Sequence, residues 1–304
     1  MIGITGGSGL IGSHLVKIFL KESIPFHSFG SKKLTCSDLE SFCCLDLNHF
    51  SLEDFKLCLD EIKSFVHLAA RLPSRSKQDY IESNLLLNIN ASASLGLLQA
   101  CNQVGVGRFI YLSGSAIMSP VGSFITSASP FSSVFHSPSY LISKLAGELL
   151  CWNQRSSTFD VNILRPASVY GYGMRAGVVK NFVESILADV PVKIYGDGNW
   201  ASDLVCAQDV ARVIFHSLYN DLTFPLNIGT GNLISIHRLA LTICELCKKS
   251  QSLVHLVPSL DPTSSLVGLS PVDPSEVESF LGLKMLSLED GLSQMIYQYQ
   301  YPDA

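Results

Sequence analysis

Tyr140 and Lys144 stand four residues apart in the run S-P-S-Y-L-I-S-K-L-A-G-E. On a helix, that spacing brings a phenol and an ammonium to one face, about 5–6 Å apart at Cβ. A neighbouring ammonium favours phenolate. A tyrosine with an ordinary pKa near ~10 then becomes usable as a proton donor and acceptor at neutral pH. Tyr/Lys pairs with this spacing are also common on solvated helix faces, so the pair gains weight only from its company. A serine-bearing strand end, Leu112-Ser113-Gly114-Ser115, precedes it.

The second constellation is I-T-G-G-S-G-L-I-G at residues 4–12. A short apolar strand runs into a glycine turn, which opens an amphipathic helix bearing Leu10, Ile11, Leu15, Val16, Ile18, Phe19 and Leu20. Gly7 and Gly9 allow a tight turn and close approach to a pyrophosphate. Gly12 allows the helix to pack against the strand, and the helix N-terminus offers free N–H groups. The same glycines would also serve a purely structural turn.

These two sites need a scaffold, and the strand and helix signals alternate through the first half of the chain. Strands are expected at Ile2–Thr5, Phe26–Phe29, Phe42–Leu45, Ser64–Leu68, Arg108–Leu112 and Val161–Leu164. Helices are expected at Leu10–Lys21, Leu52–Leu59, Gln78–Gln103 and Tyr140–Gln154. The pattern predicts an α/β fold, a Rossmann-like doubly wound parallel sheet with a smaller C-terminal substrate-binding lobe. The division expected is 1–168 for the dinucleotide domain, with 204–230 returning to it, and 169–203 plus 231–304 for the smaller lobe. After Pro166, helices are expected at Val178–Leu187, Asp209–Leu218, Ile234–Cys247, Ser275–Leu281 and Leu288–Tyr299, and strands at Pro191–Tyr195 and Leu226–Ile228. Ser119–Ser139 is rich in Ser and Pro, with Phe124, Phe131 and Phe135 interleaved. It reads either as a substrate-side flap or as a surface excursion packed down by its phenylalanines.

Bulk properties narrow the function. Hydrophobic residues are 47% and charged residues 15% of 304, so a full core is available and disorder is disfavoured. A net charge of −5 and the absence of a Lys/Arg run argue against nucleic acid as a partner. No apolar run reaches the ~18 residues of a membrane span and no secretory signal is present, so a cytoplasmic protein is expected. Nine scattered cysteines disfavour a disulfide framework, and Cys244-x-x-Cys247 without a second pair reads as core thiols. With the histidines also dispersed, no metal site is expected.

Taken together, these motifs resemble an extended short-chain dehydrogenase/reductase, the group of NAD(P)-dependent sugar-nucleotide epimerases, dehydratases and reductases. The similarity runs nearly end to end. Thr5-Gly6-x-x-Gly9-x-x-Gly12 matches the cofactor turn, and Asp46-Leu47 falls where that family meets the adenine. His67-Leu68-Ala69-Ala70, followed by Arg71, matches the strand end along the cofactor, although His67 alone reads as the end of a buried strand. Asn90 aligns with the helix asparagine of the catalytic tetrad, and on its own reads equally as a tie between two backbones. Arg165-Pro166 with Val169-Tyr170-Gly171 matches R-P-x-x-V-Y-G, and Gly196-Asp197-Gly198, Asp203, Asp209 and Asn227–Gly231 continue the series. The resemblance implies that Tyr140 exchanges a proton with the substrate, that Lys144 holds the nicotinamide ribose, and that a serine binds the reacting oxygen while hydride moves at the nicotinamide. It also implies a homodimer through the helices at 78–103 and 140–154.

Four departures matter. Gly114 stands where the family keeps its catalytic Ser or Thr, leaving Ser115 as first candidate and Ser113 as reserve. Gly30, followed by Ser31, Lys32 and Lys33, replaces the acid that grips the ribose 2′-hydroxyl, which favours NADP over NAD; a solvated lysine pair is the plainer reading. Ser115-Ala116 replaces the Asp-Glu pair of the dehydratases. Ser202 and Ser168 replace an Arg and an Asn of the substrate lobe, and a serine does not copy the bidentate phosphate contact of an arginine. Arg175 or Lys180 are the candidates to substitute. The expected activity is that of a ketoreductase or epimerase. An NAD-retaining UDP-sugar 4-epimerase is the nearest rival, and a non-catalytic NAD(P)-sensing module is the rival from another class.

Overall fold

The computed structural model describes residues 1–35, 37–73, 80–133, 137–259 and 268–302. Cys36, Gln78 and Phe135 lie outside the described residues. The first strand, β1 (Ile2–Thr5), is buried throughout and leads through the glycine turn into α1 (Leu10–Lys21). Then follow β2 (Phe26–Gly30), β3 (Glu40–Cys44), α2 (Leu52–Leu57) and β4 (Ser64–His67). The predicted long helix is interrupted. α3 (Tyr80–Leu87) passes through a π-helical turn at Asn88–Ala93 into α4 (Ser94–Gln103). β5 (Arg108–Leu112), α5 (Pro138–Trp152) and β6 (Asp160–Pro166) complete this half.

The rest of the chain supplies β7 (Ser168–Tyr170), α6 (Val178–Leu187), β8 (Val192–Tyr195), β9 (Ala201–Cys206), α7 (Ala207–Ser217) and β10 (Leu226–Ile228). After these come β11 (Leu233–Ser235), α8 (Ile236–Cys247), β12 (Val254–Val257), α9 (Ser275–Leu281) and α10 (Leu288–Gln300). The main sheet runs β10-β6-β5-β4-β1-β2-β3, with every pairing parallel. This is the Rossmann-like sheet that the alternating pattern predicts. One face packs on α1 and α7 through Leu15, Phe19, Val210 and Ile214, the other on α2, α4 and α5 through Phe55, Leu97, Leu98 and Cys151. The smaller lobe pairs β11-β9-β7 and β12-β8, with α6, α8 and α10 around Phe182, Ile243 and Leu292.

β7, β9, β11 and β12 are not expected from the sequence. β7, β11 and β12 are short, and β9 buries Ser202 and Asp203, which breaks an apolar reading. In the long loop after β5, Phe124 and Phe131 stay exposed. Met118 and Ile125 anchor it instead, Ile125 bridging Val272 and packing in one cluster with Leu141. Among the cysteines, Cys43 and Cys58 form a disulfide between β3 and the end of α2, so two of the thiols expected to be free are paired.

Candidate functional site

Because the sheet is parallel, the segments that follow β1, β4, β5 and β6 leave from one edge. That edge is where open α/β sheets hold ligands. After β1, Gly6 has φ +70, and a Cβ there would come within 2.6 Å of the Ala69 nitrogen. A Cβ on Gly12 would lie 2.7 Å from the Gly7 Cα and overlap the Gly6 carbonyl oxygen. Backbone therefore meets backbone, and only glycine fits. The start of α1 carries Gly9 as its cap, with no side-chain hydrogen bond and no acid in the first turn. In contrast, α2, α8 and α10 are capped by Ser51, Ser235 and Ser287. An uncapped helix N-terminus over a glycine cradle is fitted for a pyrophosphate.

Beside this turn is a cavity of about 160 Å³ lined by Gly6, Gly7, Gly30, Ser31, Lys32, Leu34, Leu45, Leu47 and Ala69. Asp46 is not part of its wall. His49 and the amides of Asn48 bond the Asp46 carboxylate, and hold its pKa down to about 2, while it caps the short turn Leu47–His49. Leu10 lies beside Gly171, Ile11 and Leu68 pack into the core under α1, and Ala70 follows Ala69 along the same edge.

The tyrosine side is built on α5. Pro138 at its first position presets the helix, and Ser143, Lys144 and Glu148 face inward. Tyr140 is partly buried and packs against the cluster of Ile117, Met118, Ile125, Leu141 and Val272. Burial raises its pKa, so the lowered value expected from the i, i+4 lysine is not found. Lys144 is 5% exposed and its Nζ sits 4.3 Å from the centre of the Tyr111 ring. Burial lowers it to about 8, with Cys151 and Glu148 pulling the other way. Glu148 is itself buried in a bidentate pair with Arg165, the arginine of the R-P motif.

Asn90 links the two sides. Its amide donates to the Arg71 carbonyl and to Ser143 Oγ, both at 3.0 Å, and its Oδ1 accepts from the Arg71 N–H at 2.8 Å. Ser143 in turn donates to the Tyr140 carbonyl at 2.7 Å. The π-helical turn frees the Asn90 carbonyl for Ser94 Oγ and the Tyr111 hydroxyl. Since Ser94 spends its proton there, it accepts from His67 Nε2–H at 2.8 Å, and His67 Nδ1 accepts from Thr5 Oγ1 at 2.7 Å. Burial keeps His67 neutral, with its pKa lowered to about 3. His67, read from sequence as the end of a buried strand, thus ties the cofactor strand to the helix that holds Asn90. Hydrophobic periodicity carries no signal for such a tie.

The serines divide. Ser113 Oγ is buried with no hydrogen-bond partner, whereas Ser115 opens a short 3-10 turn and is 5% exposed. A Cβ on Gly114 would meet only the Pro166 carbonyl, at 3.9 Å, and its φ of −168° suits any residue. Of the substrate-side residues, Ser168 and Ser202 bond each other at 2.6 Å. Arg175 is exposed, and Lys180 pairs with Glu184 along α6. No group of three or more His, Cys, Asp or Glu side chains suited to a metal exists among the described residues, and no helix among them is long and apolar enough to cross a membrane.

The chain is similar to proteins of several activities. It is 26% identical over 261 residues to the UDP-glucuronate 4-epimerase of Thermodesulfobacterium geofontis, covering 78% of this chain and 77% of the relative. It is 26% identical over 316 residues to the dTDP-4-dehydro-6-deoxyglucose reductase of Escherichia coli, covering 96% and 95%. Among solved structures, MoeE5 in complex with UDP-glucose and NAD superposes with a TM-score of 0.84 at 25% identity, covering 100% of this chain and 99% of that one. Residues 2–229 match the NAD dependent epimerase/dehydratase family, and with the glycine cradle and the α5 pair in place, the chain belongs to that family.

Proposed function

We propose that the protein is an NAD(P)-dependent oxidoreductase that acts on a carbinol or keto carbon of a sugar nucleotide, as a ketoreductase or epimerase. The observation that carries this reading is the continuous hydrogen-bonded path from Thr5, beside the glycine cradle, through His67, Ser94 and Asn90 to the Tyr140 backbone. It couples a dinucleotide cradle to an acid/base helix. A bound nicotinamide supplies hydride exchange at its C4. Gly6, Gly7, Gly9 and Gly12 would hold the pyrophosphate, and Leu68–Arg71 with Pro166 would border the ring. Lys144 would bind the ribose hydroxyls, and Tyr140 would pass a proton to or from the substrate oxygen. The raised pKa of Tyr140 keeps the phenol protonated at neutral pH, which suits proton donation to a keto oxygen.

Ser115, 25 residues before Tyr140, keeps the first claim to the reacting oxygen, because the Ser113 Oγ is sealed inside the fold where a substrate oxygen does not reach it. Ser115→Ala should lower turnover about 10–100-fold, against a small change for Ser113→Ala; equal effects would return both serines to candidacy. The absent carboxylate after β2 and the exposed Ser31, Lys32 and Lys33 favour NADP. The apolar residues Leu87, Ile142, Leu149 and Leu150 stay exposed on α3 and α5, which pack together, and they suit a homodimer.

Titration with NADH and NADPH, then with a panel of nucleotide sugars, tests the assignment. Stoichiometric NADPH oxidation supports a reductase. Turnover of a UDP-sugar without added cofactor, by protein that retains NAD, supports a UDP-sugar 4-epimerase, the reading the epimerase relative favours. Absence of dinucleotide binding would overturn both. Binding without turnover of any nucleotide sugar would point to a sensing module.

A further inference from the structure

Glu40, the first residue of β3, is 4% exposed, yet no cation pairs with it among the described residues. Its carboxylate is instead saturated by neutral donors. Oε1 accepts from Ser28 Oγ and from the Leu34 N–H at 2.8 Å. Oε2 accepts from the Thr35 N–H at 2.6 Å and Thr35 Oγ1 at 2.8 Å. Burial pushes its pKa up, but these bonds outweigh burial and hold it below the ordinary carboxylate range. Two of the four donors are backbone amides of one loop, the segment that follows Gly30 and carries Ser31, Lys32 and Lys33. Those amides have no strand or helix partner of their own.

The loop so held is a wall of the cavity beside the glycine turn. Leu34 lines it together with Gly7 and Lys32, and a Cβ on Gly7 would overlap Leu34 Cδ1. Leu34 is therefore packed directly on the cradle, and its place is set by its own amide, which Glu40 holds. Among the described residues no hydrogen bond or ion pair holds the side chains of Ser31, Lys32 and Lys33, and all three residues are exposed. Without the clamp, the segment would lose its defined position relative to Gly6 and Gly7.

We propose that Glu40 is a positioning residue for the adenosine half of the dinucleotide, a buried carboxylate that presets the loop 31–35 so that Ser31 and Lys32 face the ribose 2′ position. This rests on the dinucleotide reading given above. The clamp replaces, at one remove, the carboxylate that this strand end lacks: it contacts the loop and not the ribose, so it can serve a 2′-phosphate without repelling it. A carboxylate that touched the ribose would disfavour that anion.

The test is equilibrium binding, read by titration calorimetry on the whole chain, of 2′-phospho-ADP-ribose, ADP-ribose and UDP to wild type, Glu40→Gln and Thr35→Val. Glu40→Gln puts two N–H groups where one oxygen accepts, and should weaken 2′-phospho-ADP-ribose about tenfold or more, with ADP-ribose also weakened and UDP unchanged. Thr35→Val removes one donor to Glu40, together with the acceptor of the Ser37 N–H, and should weaken it two- to fivefold. If Glu40→Gln does not fold, Thr35→Val decides, because it leaves the carboxylate and both amide bonds in place. Unchanged affinity for both ADP-ribose ligands in the folded variants overturns the proposal while leaving the dinucleotide site intact. A wild type that binds neither ligand overturns the dinucleotide reading itself.

Discussion

The dinucleotide half and the smaller lobe are built by opposite means. Around Gly6 and Gly12 the turn is backbone against backbone, so tightly that no Cβ fits. In the smaller lobe, position is set by side chains. Asp203, 1% exposed, accepts from Thr230, Gly231 and Val272 and so pins the β10–β11 turn and the tail, while Ser168 and Ser202 are spent on each other. A surface made of backbone tolerates few residue types and keeps one ligand class. A surface made of exchangeable side chains can change substrate while the sheet stays the same. Relatives with different activities and a similar fold fit that division.

Tyr140 stands at the junction of the two halves, and its removal is the severest test. Tyr140→Phe should cut turnover about 10²–10⁴-fold with dinucleotide affinity preserved, measured by steady-state rates beside direct binding. Intact turnover would detach the chemistry from this junction.

Lys144 comes next, through pH. Its folded value of about 8 lies below the 10.5 of an unperturbed lysine, so between those values the unfolded chain binds more protons. The contribution of Lys144 to stability is therefore depressed below pH 8 and recovers as pH rises toward 10.5, by on the order of 3 kcal/mol. Cys151, raised to about 12 by burial, acts in the opposite sense above pH 9. The measurement is accordingly the difference between wild type and Lys144→Met in denaturant melts from pH 7 to pH 10. The advantage of the variant should shrink across that range, and a constant difference would reject the assignment.

Gly6→Ala should cost about 1–3 kcal/mol through crowding against Ala69 and weaken dinucleotide binding, whereas Gly30→Ala, with nothing within 4 Å, should stay within about 0.5 kcal/mol in thermal melts. Equal costs would mean that crowding does not define the cradle. The smallest effect is expected in the other half. Ser168→Ala removes the bond to Ser202, which keeps only its 3.3 Å bond to the Asp203 carbonyl, and about 1 kcal/mol should be lost with the dinucleotide affinity unchanged.

The elements of the dinucleotide half were legible because their signals are local. Ile2–Thr5, Leu10–Lys21 and Arg108–Leu112 match their predicted bounds, since apolar period and glycine punctuation decide them. β9 escaped because its inward positions carry Ser202 and Asp203, whose partners lie far along the chain. The π-helical turn at Asn90 escaped because nothing in N-A-S-A-S breaks a helix; the hydroxyl and phenol that exploit the freed carbonyl come from Ser94 and Tyr111. The pKa of Tyr140 went the opposite way from the sequence argument because burial raises it and no pull from Lys144 accompanies it, the Lys144 Nζ lying over the Tyr111 ring. Glu40 gave no signal at all, since a lone acid before a strand looks like solvent-facing charge until its four donors are seen.

The order of the main sheet has a consequence for how the protein is made. β1 lies near the middle, with Phe26 opposite Ile2 on one side and Ser64 on the other, and β6 gains its outer neighbour only from Leu226–Ile228. The first seventy residues supply every wall of the cradle, but the sheet beneath it is finished only when Leu226–Ile228 arrive, and such distant parallel pairings assemble slowly. A dinucleotide that binds only the completed sheet would then act as a folding ligand, drawing the last steps of assembly forward by mass action.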